Sequence, residues 1–157
     1  MLQVPHLPQT NPQGRNFCVP AAIRMALAFQ RIMLGEEALC DMLETQQVGT
    51  AVLNVLLLYQ HLTRCRAEVA SASFDDLTTW LQEGIPPIVF VTTGPLSYWQ
   101  TECLHALVVV DVEEHAVLVH DPAFEHAPLT IPRDEFLAAW GELAQLTALI
   151  KVSRLEP

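Results

Sequence analysis

Two hydrophobic rhythms divide the chain. Over 18–32, apolar side chains fall almost all round a helical wheel (Val19, Ala21, Ala22, Ile23, Met25, Ala26, Leu27, Ala28 and Phe29), and Arg24, Gln30 and Arg31 supply the only polar edge. A helix with that pattern is buried at the centre of a domain. Pro20 suits its first turn, where a missing N–H costs nothing. Residues 36–43 read as a short amphipathic helix with acids in its first turn, 51–62 as a further helix opened by Gly49 and Thr50, and 66–70 as a strand. Ser73 is a good N-cap for a helix over 74–82 that stops at Gly84. After Pro87 the rhythm changes. Segments 88–92, 104–112 and 116–120 are rich in Val and Ile and read as strands. Pro132 starts a short helix through 140, and 146–152 closes the chain as a strand. Helices first and strands afterwards predict an α+β fold, with the buried helix packed on an antiparallel sheet.

No repeat or linker interrupts 1–157, so the chain reads as a single domain with one substantial core. It is 51% hydrophobic and 17% charged, the balance of a folded globular protein. The net charge of −10 argues against nucleic acid and anionic membrane surfaces as partners. It permits a basic peptide, although such acidity mostly serves solubility. The apolar runs are too short for membrane insertion. The first residues carry prolines and no basic start or apolar stretch, so they do not read as a secretory signal. A cytoplasmic protein with four reduced thiols is the expectation, and nothing in the pattern calls for a cofactor.

The candidate chemistry centres on Cys18. It lies where a proline-rich lead-in gives way to the apolar helix, and a thiol at a helix N-terminus meets unpaired N–H groups and the positive end of the dipole. His105 stands near the start of one strand and Asp121 at the end of the next. With a three-residue loop over 112–114, Asp111 pairs with His115 and His105 falls opposite Asp121 on the same face, close enough for a carboxylate to hold an imidazole. A two-residue loop shifts the register by one and separates them. In the expected chemistry Cys18 attacks a carbonyl, His105 moves the proton, and Asp121 holds the ring. The oxyanion needs the Cys18 backbone N–H and a side-chain amide from the preceding loop, where Gln9 and Gln13 both lie.

Four stretches carry a resemblance. They are 4–9 (Val-Pro-His-Leu-Pro-Gln), 18–25 (Cys-Val-Pro-Ala-Ala-Ile-Arg-Met), 81–91 (Leu-Gln-Glu-Gly-Ile-Pro-Pro-Ile-Val-Phe-Val), and 105–110 (His-Ala-Leu-Val-Val-Val) with His120, Asp121 and Pro122. In this order and spacing the chain resembles the C39-type, papain-like cysteine peptidases, which include the domain that trims double-glycine leader peptides. The resemblance implies a papain-like fold, a peptide or protein substrate, a triad of Cys18, His105 and Asp121, and Gln9 at the oxyanion, with Gln13 as the alternative. Val19 stands where such proteins usually have glycine after the nucleophile, and Asp111 where a glycine commonly follows the histidine strand. The chain reads as a stand-alone domain with no transporter segment, and its oligomeric state is open.

Other readings attach to the remaining residues. Cys40 and Cys65 read as small buried hydrophobes. Cys103, two before His105, offers a metal pair to which His115, His120 and His126 could add, but a zinc site needs three or four ligands and alternation places His120 on the opposite face from Asp121, so no metal is expected. His6 and His61 read as surface residues. Tyr98 and Trp99 belong either to the core or to the cleft beside the histidine strand. The same constellation also suits a transglutaminase-like acyl transferase or a non-catalytic peptide-binding module.

Overall fold

A computed structural model describes residues 1–10 and 17–153. The all-round apolar run forms helix α1 (Cys18–Phe29), in which every residue from Cys18 to Leu27 except Arg24 is buried. It is followed by α2 (Glu36–Met42), a 3₁₀ helix (Val52–Gln60), and strand β1 (Cys65–Ser71). Then come α3 (Phe74–Gln82), β2 (Ile88–Thr92), β3 (Leu104–Val112) and β4 (Ala116–His120). The short β5 (Leu129–Pro132), α4 (Arg133–Gly141) and β6 (Leu146–Val152) complete the fold. The six strands form one sheet in the order β1-β6-β2-β3-β4-β5, with antiparallel neighbours throughout.

Strand alternation assigns the two faces. Ile88, Phe90, Ala106, Val108 and Val110 pack with Ile23, Leu27 and the rest of the α1 side. Their neighbours Val89, Val91, Leu107 and Val109 pack with Leu77 of α3 and Phe136 and Trp140 of α4. Both faces of the central strands are therefore apolar, which is why 88–91 and 106–110 are unbroken hydrophobic runs. The sheet core presses α1 against β3 and so delivers the first residue of α1 to the end of the sheet where β3 begins.

Several local outcomes differ from the sequence pattern. α1 stops at Phe29 because Arg31 turns left-handed (φ 66°), and the N–H groups of Gln30, Arg31 and Ile32 close back on Leu27 and Ala28 carbonyls. The 51–62 segment is 3₁₀, not α; Ala51 enters it extended, and the Asn54 amide donates to the Leu43 carbonyl at 3.0 Å, pinning the turn from outside. β5 escapes notice because it is a four-residue edge strand ending in proline, whose missing N–H an edge position tolerates. α3 has the cap its sequence promises: the Asp76 N–H donates to the Ser73 hydroxyl at 3.1 Å and the Ser73 N–H to the Asp76 carboxylate at 2.8 Å.

The β3–β4 hairpin corrects the expected register. Asp111 pairs with Leu118, not His115, and the Glu113 N–H donates to the Ala116 carbonyl at 2.8 Å around a tight turn at Glu114 and His115. Alone, that register brings Asp121 level with Val108, on the wrong face for His105. A bulge at Val110 then shifts the ladder, so that Val109 pairs with Val119 and Val108 with His120. Asp121 ends level with Leu107, diagonal to His105 and on its face. The bulged Val110 carbonyl accepts the Leu2 N–H at 2.9 Å, which starts the N-terminal segment along the hairpin.

Candidate active site

Cys18 is buried at the first turn of α1, where Phe17 precedes the helix without a side-chain cap and no acid occupies the opening turn. His105, the second residue of β3, is buried beside it and hydrogen-bonds Cys18. The other side of the ring meets Asp121: His105 Nε2 lies 2.6 Å from Asp121 Oδ1. With Nε2 committed to the carboxylate, Nδ1 is the nitrogen left for the sulfur. The structure thus brings Cys18, His105 and Asp121 into one hydrogen-bonded line.

Asp121 is fully buried and accepts from four donors. Oδ1 takes His105 and the Ala123 N–H at 2.9 Å, and Oδ2 takes the Tyr98 hydroxyl at 2.7 Å and the Trp99 indole N–H at 3.0 Å. Burial works against a charged carboxyl here, but the bond and charge of His105, the Ala123 N–H and the Tyr98 hydroxyl together hold its pKa below the usual range. Burial likewise works against a charged His105 ring, and the hydrogen bonds to Asp121 and Cys18 with the carboxylate charge outweigh it, raising the pKa. Burial, reinforced by Asp121, pushes the Tyr98 hydroxyl well above its ordinary range, so it stays a donor.

Tyr98 and Trp99 pack, half-buried, against the core on the α3 and α4 side, as one of the two expectations had it, and both also donate to the acid. The loop presenting them is held by non-local bonds: Thr93 Oγ1 donates to the Thr101 carbonyl at 2.6 Å, and Ser97 donates twice to Glu135. The Trp99 ring also lies edge-on to His105, with centroids 4.7 Å apart, and Phe124 packs on both Tyr98 and Trp99.

The N-terminal segment is tied along this assembly. The Gln9 N–H donates to the Pro122 carbonyl at 2.7 Å, one residue from Asp121. Among the described residues, the buried Gln9 Oε1 has no hydrogen-bond partner. Thr10 donates its N–H and hydroxyl to the buried Glu36 carboxylate at 2.9 and 2.7 Å. Glu36 carried no signal as a tether, since an acid in a helix's first turn reads as dipole compensation. His6 is not a surface residue as expected: its Nε2 lies 2.6 Å from the Phe124 carbonyl oxygen and its ring meets His120 edge-on at 5.1 Å. Gln13 lies outside the described residues.

The remaining candidates are scattered. Cys40 and Cys65 are buried, and burial raises the Cys65 thiol against the opposing charge of Arg64. His115 is exposed beside Glu114, His126 and His61 are exposed, and His120 is buried against His6. Among the described residues no group of three or more His, Cys, Asp or Glu is placed to hold a metal ion, and no helix is long and apolar enough to cross a membrane. A hollow of about 690 Å³ bordered by Arg31, Arg64, Glu83 and Lys151 is lined by none of the triad residues.

Residues 1–148 match the family model described as the peptidase C39-like family. No curated protein matches the chain. Among solved structures, a Bacillus anthracis protein described as a C39-like peptidase superposes with a TM-score of 0.78 at 15% identity, covering 98% of this chain and 96% of its own. A double-glycine-motif protease from an AMS/PCAT transporter, solved with its leader peptide, gives 0.72 at 18% identity over 97% and 94%. The peptidase domain of Streptococcus ComA, a bifunctional ABC transporter of a quorum-sensing pathway, gives 0.70 at 16% identity over 94% and 97%. These likenesses establish a shared fold.

Proposed function

This chain belongs to the C39-like peptidase family, and from that premise we propose that it is a cysteine peptidase with Cys18, His105 and Asp121 as its catalytic triad. The observation that carries the reading is the His105 ring hydrogen-bonded to Cys18 on one side and to Asp121 on the other. His105 takes the thiol proton as Sγ attacks the scissile carbonyl carbon, and the carbonyl electron pair moves onto oxygen. The Cys18 backbone N–H and the Gln9 side-chain amide receive that oxyanion. When the tetrahedral species collapses, the C–N bond breaks and the leaving amine takes the proton from His105. A thioester remains on Cys18. Water then attacks it, gives a proton to His105, and releases the carboxylic acid and the thiol.

Asp121 holds the ring's orientation and stabilises the imidazolium formed in each half-reaction. Its four donors support that role, since they keep the buried carboxylate ionised and fixed. The substrate is a peptide or protein segment, handled without nucleic acid, metal or membrane insertion by one domain spanning 1–157. A reducing cytoplasm suits a nucleophilic thiol.

The test is digestion of a defined peptide mixture followed by mass spectrometry. New peptide termini are expected with the wild-type chain and none with Cys18→Ala. Cleavage surviving that substitution, or none by the folded wild type, contradicts the reading. Amide products on adding a primary amine would mark an acyl transferase instead.

A further inference from the structure

Beside Cys18 and His105 the surface sinks into a cavity of about 190 Å³. Its walls are apolar: Val19, Val52, Phe90, Leu104, Leu143 and Leu146. Val48 stands at the tip of a tight turn in which Gln46 and Gly49 exchange backbone hydrogen bonds at 2.9 and 3.0 Å. Gly49 adopts φ 121°, a conformation that favours glycine, so the turn is held in the shape that carries Val48 to the cavity. Val48 and Leu104 are 92% and 65% exposed. Two large apolar side chains thus stand open to water beside the nucleophile.

We infer that this cavity seats one bulky apolar side chain of the substrate's acyl half, of the leucine or phenylalanine class, next to the bond that is broken. The inference rests on the peptidase reading. Size supports it, since an apolar cavity of about 150 Å³ accepts a benzene ring, whereas whole drug-sized ligands need roughly 300–1,000 Å³. Chemistry supports it too: among the described residues, Thr50 offers the single side-chain hydroxyl in the lining, and no Asp, Glu, Lys or Arg borders the cavity. Cys18 and His105 belong to the lining, so an occupant lies flush against the atom that becomes acylated. A glycine there leaves the apolar walls unfilled, and a charged side chain loses its water without a partner.

The experiment compares N-acetyl-leucyl and N-acetyl-glycyl chloromethyl ketones on the intact protein, each rate normalised to that with glutathione. In both, Sγ of Cys18 forms a C–S bond and chloride leaves. Alkylation of Cys18, read by mass spectrometry, is expected to be at least about tenfold faster with the leucyl reagent. Leu104→Asp changes an exposed position and so spares the core, and it is expected to bring the ratio close to one. Iodoacetamide, which has no side chain to seat, reports the thiol alone. If iodoacetamide singles out Cys18 while the two ketones react alike, the cavity inference is wrong and the nucleophile stands. If iodoacetamide does not single out Cys18, the peptidase reading and the inference fall together.

Discussion

Trp99 donates its indole N–H to Asp121 Oδ2 at 3.0 Å while its ring lies edge-on to His105 at 4.7 Å. One side chain therefore holds the acid and covers the base. Together with the Tyr98 hydroxyl, it makes the carboxylate's position independent of the strand ladder, which ends one residue earlier at His120.

Removing the charge of Asp121 tests its role most sharply. Asp121→Asn keeps the volume but presents an amide N–H₂ among donors and cannot stabilise an imidazolium. Peptide hydrolysis is expected to fall on the order of 10²–10⁴-fold, as carboxylate loss does in comparable triads. Steady-state kinetics on a cleaved peptide would check this, with circular dichroism showing that the variant is folded.

Tyr98→Phe removes one donor from Asp121 and adds no new group. The carboxylate then loses part of what holds its pKa down, so the acid limb of the pH–rate profile is expected to move to higher pH. The lost buried hydrogen bond costs stability of about 1–2 kcal/mol. A merely structural role for Tyr98 would lower stability and leave the acid limb in place.

Acid stability has a defined direction. The Asp121 pKa is lower in the folded state, so its contribution is present above the unfolded carboxyl value and is lost as pH falls through the folded one. The His105 pKa is raised, so its contribution is complete below the unfolded imidazole value and is lost as pH rises through the folded one. Burial and the neighbouring His6 push His120 down to about 4. The unfolded chain therefore binds a proton at His120 that the folded one refuses, and stability falls as pH drops from about 6.5 toward 4. Each tenfold difference in proton affinity is worth about 1.4 kcal/mol. His120→Leu is expected to flatten that part of a urea-midpoint profile measured against pH.

Gly84 ends α3 at φ 78°, and a β-carbon there would meet nothing within 4 Å. Gly84→Ala therefore tests backbone strain alone. A loss of about 1–2 kcal/mol in denaturant unfolding is expected, with peptide hydrolysis unchanged.

Much of this was readable in the residues. β-branched runs marked β2, β3, β4 and β6, Ser73 and Gly84 bounded α3, and the all-round apolar pattern marked the helix that carries Cys18. His105 and Asp121 do meet, but by a different route from the one the strand count gave. The tight turn at Glu114 and His115 moved the register away from that pairing, and the bulge at Val110 restored the shared face. A bulge inside five consecutive apolar residues leaves no mark in composition. Nor could local pattern show that Tyr98 and Trp99 would reach Asp121, because the loop's course is set by Thr93 with Thr101 and by Ser97 with Glu135. Glu36 and Thr10 are joined across 26 residues, a pairing that only the folded chain displays.

The most direct measurement is the site-resolved rate of iodoacetamide alkylation near neutral pH. The account predicts that Cys18 is modified far faster than Cys40, Cys65 and Cys103, and that His105→Ala abolishes the advantage. Equal modification of the four thiols, or a Cys18 rate unaffected by loss of His105, would contradict it.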